Sequence, residues 1–97
     1  MKKVFAFAIA ATLSSSLFAA EGAAIYGSKC VACHGPKGDK QIAAMGVKPV
    51  NTPDVKKMGV AGVSKIVASG QNKMPAFKGK LTDEEIHEVS EYVLTLK

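Results

Sequence analysis

Apolar side chains recur at helical spacing along much of this chain, and no segment alternates between apolar and polar residues as a half-buried strand would. The most regular pattern lies near the carboxyl end, where one face consists of Ile86, Val89, Val93 and Leu96. Thr82 and Glu85 have the spacing of a capping box, and Leu81 is placed to pack on Ile86 as a hydrophobic staple. The sequence therefore predicts a helix that is capped by Thr82.

Two more helices are predicted upstream of this one. The first covers residues 23–33 and stops at Gly35-Pro36, a pair that does not continue a helix. A short helical turn begins with Thr52 as its cap and Pro53 at its first position, and it ends at Met58-Gly59. The second helix follows, with helical spacing at Val60, Val63, Ile66 and Val67.

The remaining segments are predicted to be loops. Residues 37–51 and 71–80 show no regular period and are punctuated by glycine and proline, and Gly70 is placed to end the second helix. The predicted fold class is all-α, with three to four helices joined by long loops.

The amino terminus has the layout of a secretory signal peptide. Lys2 and Lys3 form a positive start, residues 4–13 are apolar, and residues 14–20 are mostly small. A membrane-spanning helix needs about 20 apolar residues, and serines interrupt this run too early. We therefore expect residues 1–20 to be cleaved during export to the periplasm, leaving no stable membrane insertion and a single domain over residues 21–97.

The strongest chemical motif is Cys30-Val31-Ala32-Cys33-His34. Cys-x-x-Cys-His is the pattern for covalent attachment of a c-type haem. Residues three apart share one face of a helical turn, so Cys30 and Cys33 can form two thioethers with one edge of a porphyrin. His34 then follows as an axial ligand of the iron, a role that histidine often takes.

A bare Cys-x-x-Cys pair has other uses, including a redox-active dithiol, a structural disulfide and half of a zinc site. The following histidine, the absence of a second cysteine pair and the lack of a βαβ pattern all favour haem. A domain of this size also needs more than its own core to be stable. We expect one covalently attached haem c that is both structural and functional.

The sixth coordination position of the iron is assigned to Met74. This residue lies in an irregular segment far from His34, and Pro75 stiffens the backbone behind it. Met45 and Met58 are the other methionine candidates, and both are interpreted as core filler. His87 is interpreted as a solvated helix residue. A lysine would have to lose a proton before it could bind the iron. The ring nitrogen of His34 that does not bind iron is expected to donate its N–H to a backbone carbonyl, and Pro49 is preferred over Pro36 as the acceptor.

The formal charge of +5 comes from lysine alone, since the chain has no arginine, and removal of Lys2 and Lys3 lowers it by two. This modest excess does not indicate nucleic-acid binding. Acidic residues concentrate in the last predicted helix, whereas lysines flank the predicted ligands at Lys29, Lys37, Lys40, Lys73, Lys78 and Lys80. We expect redox partner proteins to dock transiently on lysines such as Lys29, Lys73 and Lys78 at an exposed haem edge.

The chain resembles a class I cytochrome c of the small bacterial monohaem type. The resemblance rests on Gly22 to Tyr26, the Cys30–His34 motif, Lys73-Met74-Pro75-Ala76-Phe77, and Leu81 to Ile86 leading to Tyr92. It implies that the first and last helices cross closely, with Gly22 and Tyr26 against Val89 and Tyr92. It also implies that the methionine loop covers the distal face of the haem.

The function expected from these features is that of a soluble periplasmic electron carrier and not of an enzyme. It would be a monomer that shuttles between a quinol–cytochrome c oxidoreductase or dehydrogenase and a terminal oxidase, reductase or peroxidase. Two alternatives remain at this point. One is a haem protein with an open or labile sixth site that reacts with peroxide or binds a gas, and the other is a haem-free dithiol oxidoreductase.

Overall fold

A computed structural model describes residues 21–97, so the predicted signal peptide at residues 1–20 lies outside the described part. Residues 21–29 are helical and are called α1 here. They are followed by α2 (Val31–His34), a 3₁₀ turn (Ala43–Met45), α3 (Pro53–Ser69) and α4 (Asp83–Val93). The described residues contain isolated β-bridges and no strand. The predicted all-α class is confirmed.

The first predicted helix differs from the structure at its boundaries. Helical structure already includes residue 21, the backbone departs from regular helix at Cys30, and α2 carries the chain on to His34. Gly35 then ends α2 with a φ of 78°, a conformation that glycine adopts without strain. The cysteine motif therefore lies on a short separate turn and not on a continuous helix.

The start and the interruption of α3 follow the sequence signals. The hydroxyl of Thr52 accepts a hydrogen bond from the backbone N–H of Val55 at 3.4 Å, and Pro53 occupies the first turn. Gly59 interrupts the helix with φ 68° and ψ 179°, so α3 consists of two helical pieces. The predicted end of the short turn at Met58-Gly59 is confirmed, and the structure joins this turn to the next predicted helix in one kinked element.

The start of α4 is a complete capping box. The Thr82 N–H donates to Glu85 Oε1 at 2.8 Å, and the Glu85 N–H donates to Thr82 Oγ1 at 3.1 Å. Leu81 and Ile86 are both buried, as a hydrophobic staple requires. The sequence prediction for this helix is confirmed in its start and in its buried face.

Helices α1 and α4 cross at very short range. A Cβ placed on Gly22 would lie 2.6 Å from the carbonyl oxygen of Glu88 and 3.2 Å from the Cβ of Tyr92. The rings of Tyr26 and Tyr92 are tilted against each other with centroids 5.3 Å apart. The absence of a side chain at Gly22 is what lets the two backbones approach, as the resemblance implied.

One hydrophobic core joins α1, α3, α4 and the segment between the last two helices. Its buried apolar members are Tyr26, Val63, Val67, Phe77, Leu81, Ile86, Val89, Val93 and Leu96. Several of them, including Val63 and Phe77, also line a large cavity. Within residues 21–97, no helix combines the length and the apolar character needed to cross a membrane.

Acidic side chains gather on the side of α4 that faces away from this cavity. Val89 and Val93 line the cavity, whereas a shallow groove elsewhere on the helix is lined by Asp83, Glu84, His87, Glu88 and Glu91. At 100° per residue, Glu84, His87 and Glu91 lie almost opposite Val89 and Val93. These five groove residues are called the acidic face below.

Candidate functional site

The core opens into a cavity of about 630 Å³. Cys30, Cys33 and His34 line it from the turn that ends α1 and begins α2, and Met74 lines it from the loop between α3 and α4. These are the four residues that the sequence predicted as the haem site. The structure therefore brings residues 30–34 and residue 74, which are far apart along the chain, to one cavity.

The cysteine turn is held in place by backbone and side-chain bonds. The N–H groups of Cys33 and His34 both donate to the carbonyl of Cys30, at 3.2 and 2.9 Å. The buried Tyr26 hydroxyl donates to the carbonyl of Gly35 at 2.7 Å. Burial, followed by the nearby Cys30 thiol, raises the pKa of Tyr26 to about 12, so this hydroxyl remains a donor. Tyr26 thus ties α1 to the end of the motif.

The environment of Cys30 does not favour dithiol chemistry. Burial, followed by the neighbouring Cys33, raises the pKa of the Cys30 thiol to about 11. Reactive Cys-x-x-Cys pairs depend instead on a lowered thiol pKa. Within the described part of the chain, no group of three or more histidine, cysteine or acidic side chains is arranged to hold a metal ion.

His34 is partly buried against the cavity wall. Burial lowers the pKa of its imidazole, which favours the neutral form that ligates iron. Its Nδ1 is buried and has no hydrogen-bond partner among the described residues. The predicted hydrogen bond from His34 to the Pro49 carbonyl is absent. Pro49 lines the same cavity. The loop is anchored next to Pro49 by the Val50 N–H, which donates to the Gly38 carbonyl at 2.7 Å.

Met74 lies in a tight turn directly after α3. Its N–H donates to the carbonyl of Gln71 at 2.9 Å, and the Gln71 N–H donates back at 3.3 Å. Gly70 packs so closely behind this turn that a Cβ there would lie 2.6 Å from the Met74 carbonyl oxygen. Further on, the Phe77 N–H donates to the Val67 carbonyl at 3.0 Å. The backbone on both sides of Met74 is therefore fixed to the end of α3.

The other sixth-ligand candidates have different positions. Met45 and Met58 also line the cavity, but they are 37% and 45% exposed and are not packed against the core, whereas Met74 is. His87 lies on the acidic face of α4, where its Nε2 is 3.3 Å from a carboxylate oxygen of Glu91. The position of His87 agrees with its interpretation as a solvated helix residue.

The lysines near the cavity differ partly from the predicted set. Lys29 and Lys73 line the cavity as expected, and Lys48 joins them from the 37–51 loop. Lys78 is not among the cavity-lining residues. The sequence signal for Lys48 was weak because its loop has no periodicity that would assign the residue to a side of the molecule. Asp54 is the acidic residue that lines the cavity.

The cavity fits a covalently held haem on three counts. Its size lies within the range of cofactor and ligand sites, its wall is largely the apolar core, and its two thiols sit on one turn.

Comparison with known proteins agrees with this geometry. A family model described as cytochrome c oxidase, cbb3-type, subunit III matches residues 18–93. Cytochrome c6 of Thermosynechococcus vestitus is 35% identical over 103 residues, which cover 97% of this chain and 92% of the relative. The same values hold for cytochrome c6 of Thermostichus vulcanus. Cytochrome c6 of Anabaena variabilis is 38% identical over 73 residues, which cover 75% of this chain and 85% of the relative.

These matches define the class as a cytochrome c, because they span most of the chain and include the motif and the terminal helix. The chain belongs to the class I cytochromes c. It is a small monohaem member that carries one covalently bound haem c, and it is a one-electron carrier. The resemblance drawn from the four sequence pieces is confirmed.

Proposed function

We propose that this protein is an exported electron carrier whose haem is attached by Cys30 and Cys33 and ligated by His34 and Met74. The observation that carries the proposal is the single cavity lined by all four residues. The two thiols lie on one turn, as bonding to one porphyrin edge requires, and Met74 comes from a separate loop. This arrangement lets the chain hold a flat cofactor from both faces.

The ligand pair determines the chemistry of the site. When bound, the haem iron supplies the one-electron couple between Fe(III) and Fe(II). The uncharged thioether of Met74 favours the reduced state more than a second imidazole would, so the pair raises the reduction potential. With both axial positions filled by side chains, no position is left for a substrate, and the protein acts as a carrier and not as an enzyme.

The proposal includes a compartment, which the sequence supports, and two classes of redox partner. The layout of residues 1–20 supports export and cleavage of a signal peptide, which would release residues 21–97 into the periplasm as a monomer. The electron donor would be a quinol–cytochrome c oxidoreductase or a dehydrogenase. The acceptor would be a terminal oxidase, reductase or peroxidase.

Replacement of Met74 tests the ligand assignment. In Met74→Ala we expect the charge-transfer band of thioether-ligated ferric haem to disappear, the reduction potential to fall, and carbon monoxide to bind the reduced protein rapidly. Met45→Ala and Met58→Ala are matched controls, because both residues line the cavity and both changes remove a thioether. An unchanged spectrum and potential in Met74→Ala would assign the sixth ligand to another residue.

Lysines at the cavity mouth would guide partners to the haem edge. Lys29, Lys48 and Lys73 border the cavity, so an anionic oxidant should react faster than its neutral equivalent at low salt. We expect Lys73→Glu to slow oxidation by ferricyanide, with the difference shrinking as ionic strength rises. Oxidation by a cationic cobalt complex should become faster.

Lys65→Glu is the control for this experiment. It makes the same change in net charge on an exposed position of α3 that is not among the cavity-lining residues. Equal effects of Lys73→Glu and Lys65→Glu on the ferricyanide rate would show that only total charge matters. That result would contradict docking at the cavity mouth.

A further inference from the structure

We infer that the side chain of Asn72 positions Met74 over the haem, because it makes the contact between two turns at the mouth of the cavity. Asn72 is thus a positioning residue, and the inference rests on the proposed ligation by Met74. The two turns are residues 42–47 and residues 71–74. They come from different loops.

Both turns are closed by paired backbone hydrogen bonds. In the first, the N–H of Ile42 donates to the carbonyl of Val47 at 3.1 Å and the N–H of Val47 donates back at 3.0 Å. In the second, Gln71 and Met74 are paired in the same way, with Asn72 and Lys73 at the tip. Met74 is therefore a closing residue of its own turn, and any movement of the tip is transmitted to it.

The turns meet at Gly46 and Asn72. A Cβ placed on Gly46 would lie 3.6 Å from Nδ2 of Asn72 and 3.9 Å from its Cβ, so the asparagine side chain covers the glycine backbone. Both residues line the cavity, as does Met74. Gly70 supports the second turn from behind, where it closely approaches the Met74 carbonyl. The second turn is thus held between the end of α3 and the first turn.

The backbone at Asn72 explains why the side chain matters. Asn72 has a φ of 55° and is the non-glycine residue with positive φ among residues 21–97. The first central position of a two-residue turn of this kind favours glycine, which adopts positive φ without strain. A glycine would satisfy the backbone more easily, but it would leave Gly46 uncovered. The asparagine tolerates the conformation and supplies the contact.

This arrangement predicts how readily Met74 leaves the iron. An external ligand such as imidazole binds only when Met74 has dissociated, so its apparent affinity measures the population of the open state. Asn72→Gly preserves the turn conformation and removes only the contact. We expect it to raise the apparent affinity of the ferric protein for imidazole by roughly three- to tenfold, with a small effect on the melting temperature.

Three variants separate this role from general destabilisation. Asn51→Gly removes an asparagine whose Nδ2 donates to the Lys97 carbonyl, away from both turns, and should lower the melting temperature without raising imidazole affinity. Gly46→Ala places a Cβ at a φ of 71° and should raise imidazole affinity by straining the first turn. Gly79→Ala introduces the same kind of strain at a φ of 90° with no atom nearby, and should leave imidazole affinity unchanged.

The outcomes of this experiment are distinct. If ferric wild-type protein lacks the thioether charge-transfer band, the assignment of Met74 fails and the inference fails with it. If the band is present and Asn72→Gly binds imidazole like the wild type, Met74 remains the ligand but Asn72 does not position it. If Asn51→Gly or Gly79→Ala raises imidazole affinity as much as Asn72→Gly does, the effect reflects overall stability and the inference is wrong.

Discussion

Glu88 is a buried carboxyl group on α4 that the cavity does not use. Only 8% of its surface is exposed, and its Oε2 has no hydrogen-bond partner among the described residues. Burial raises the pKa of Glu88 above its ordinary value of 4.5, and the nearby acidic groups of Glu21, Glu84 and Glu85 raise it further. The folded protein therefore retains a proton on Glu88 at pH values where the unfolded chain has lost it.

The pH dependence of stability follows from this difference. A raised folded-state pKa stabilises the protein fully below pH 4.5, and this contribution is lost as the pH rises through the folded-state value. Glu88→Gln is neutral at every pH, so we expect it to match the wild type near pH 4 and to be more stable near pH 7. Thermal unfolding of both proteins across this range measures the effect.

Glu84→Gln is the control for Glu88→Gln. It removes a charge from the same helix at an exposed position, so its difference from the wild type should be smaller. Parallel pH profiles for the wild type and Glu88→Gln would show that Glu88 titrates normally and would refute the expectation.

At the scale of single residues, the sequence predicted what short-range spacing determines. Cys30, Cys33 and His34 belong to one turn, and their juxtaposition needs no tertiary information. Met74 was selected as the expected sixth ligand because it lies in an irregular segment before Pro75. Met45 and Met58 were interpreted as core filler, and that interpretation is wrong because both are exposed. The missing bond of His34 and the contact of Asn72 with Gly46 depend on how two aperiodic loops lie in space, and no local pattern encodes that.

At the scale of secondary structure, the crossing of α1 and α4 places Gly22 under the strictest packing constraint. The carbonyl of Glu88 belongs to the backbone, so it cannot turn away from a new Cβ as a side chain could. We expect Gly22→Ala to separate the two helices and to lower the free energy of unfolding by about 1–3 kcal/mol, as overpacking does. Chemical denaturation of the purified holoprotein measures the loss.

Gly27→Ala is the matched control on the same helix. A Cβ at Gly27 would meet no atom within 4 Å, and alanine is the better helix former. We expect this variant to be more stable than the wild type by roughly 0.5–1 kcal/mol. If both alanine variants gained stability, the two helices would not be in the close contact that the structure shows.

The helices illustrate where sequence signals are reliable. Side-chain caps act within one turn, so Thr52, Thr82 and Glu85 marked the starts of α3 and α4 correctly. The end of the short helical turn at Met58-Gly59 was also predicted. The end of α1 was less well predicted: a distortion at Cys30 has no composition signal, since the helical pattern continues across it.

At the scale of the whole molecule, the core and the cofactor cavity share their walls. Val63, Val67 and Phe77 belong both to the buried core and to the lining of the cavity. The haem would complete the packing around these side chains, and a core of this size has little stability in reserve. We expect the chain produced without haem to show reduced helical circular dichroism and a broad, weakly cooperative thermal transition.

A variant in which Cys30 and Cys33 are both replaced by alanine tests the same expectation. It is produced in the same haem-attaching host as the wild type, so the two proteins differ only in these residues. This variant should be recovered with little haem and should unfold like the haem-free chain. A sharp cooperative transition in either form would show that the polypeptide folds without its cofactor, and that the haem has no structural role.

The acidic face on α4 also shapes how the protein meets other molecules. Lys29, Lys48 and Lys73 border the cavity while Glu84 and Glu91 lie on the opposite side of α4, so these two sets of charges lie on different sides of the helix. Such a separation creates an electric dipole, and a dipole in the field of a charged surface experiences a torque before any contact is made. A negatively charged partner would therefore rotate the carrier during approach, and a larger share of first collisions would begin with the cavity mouth foremost.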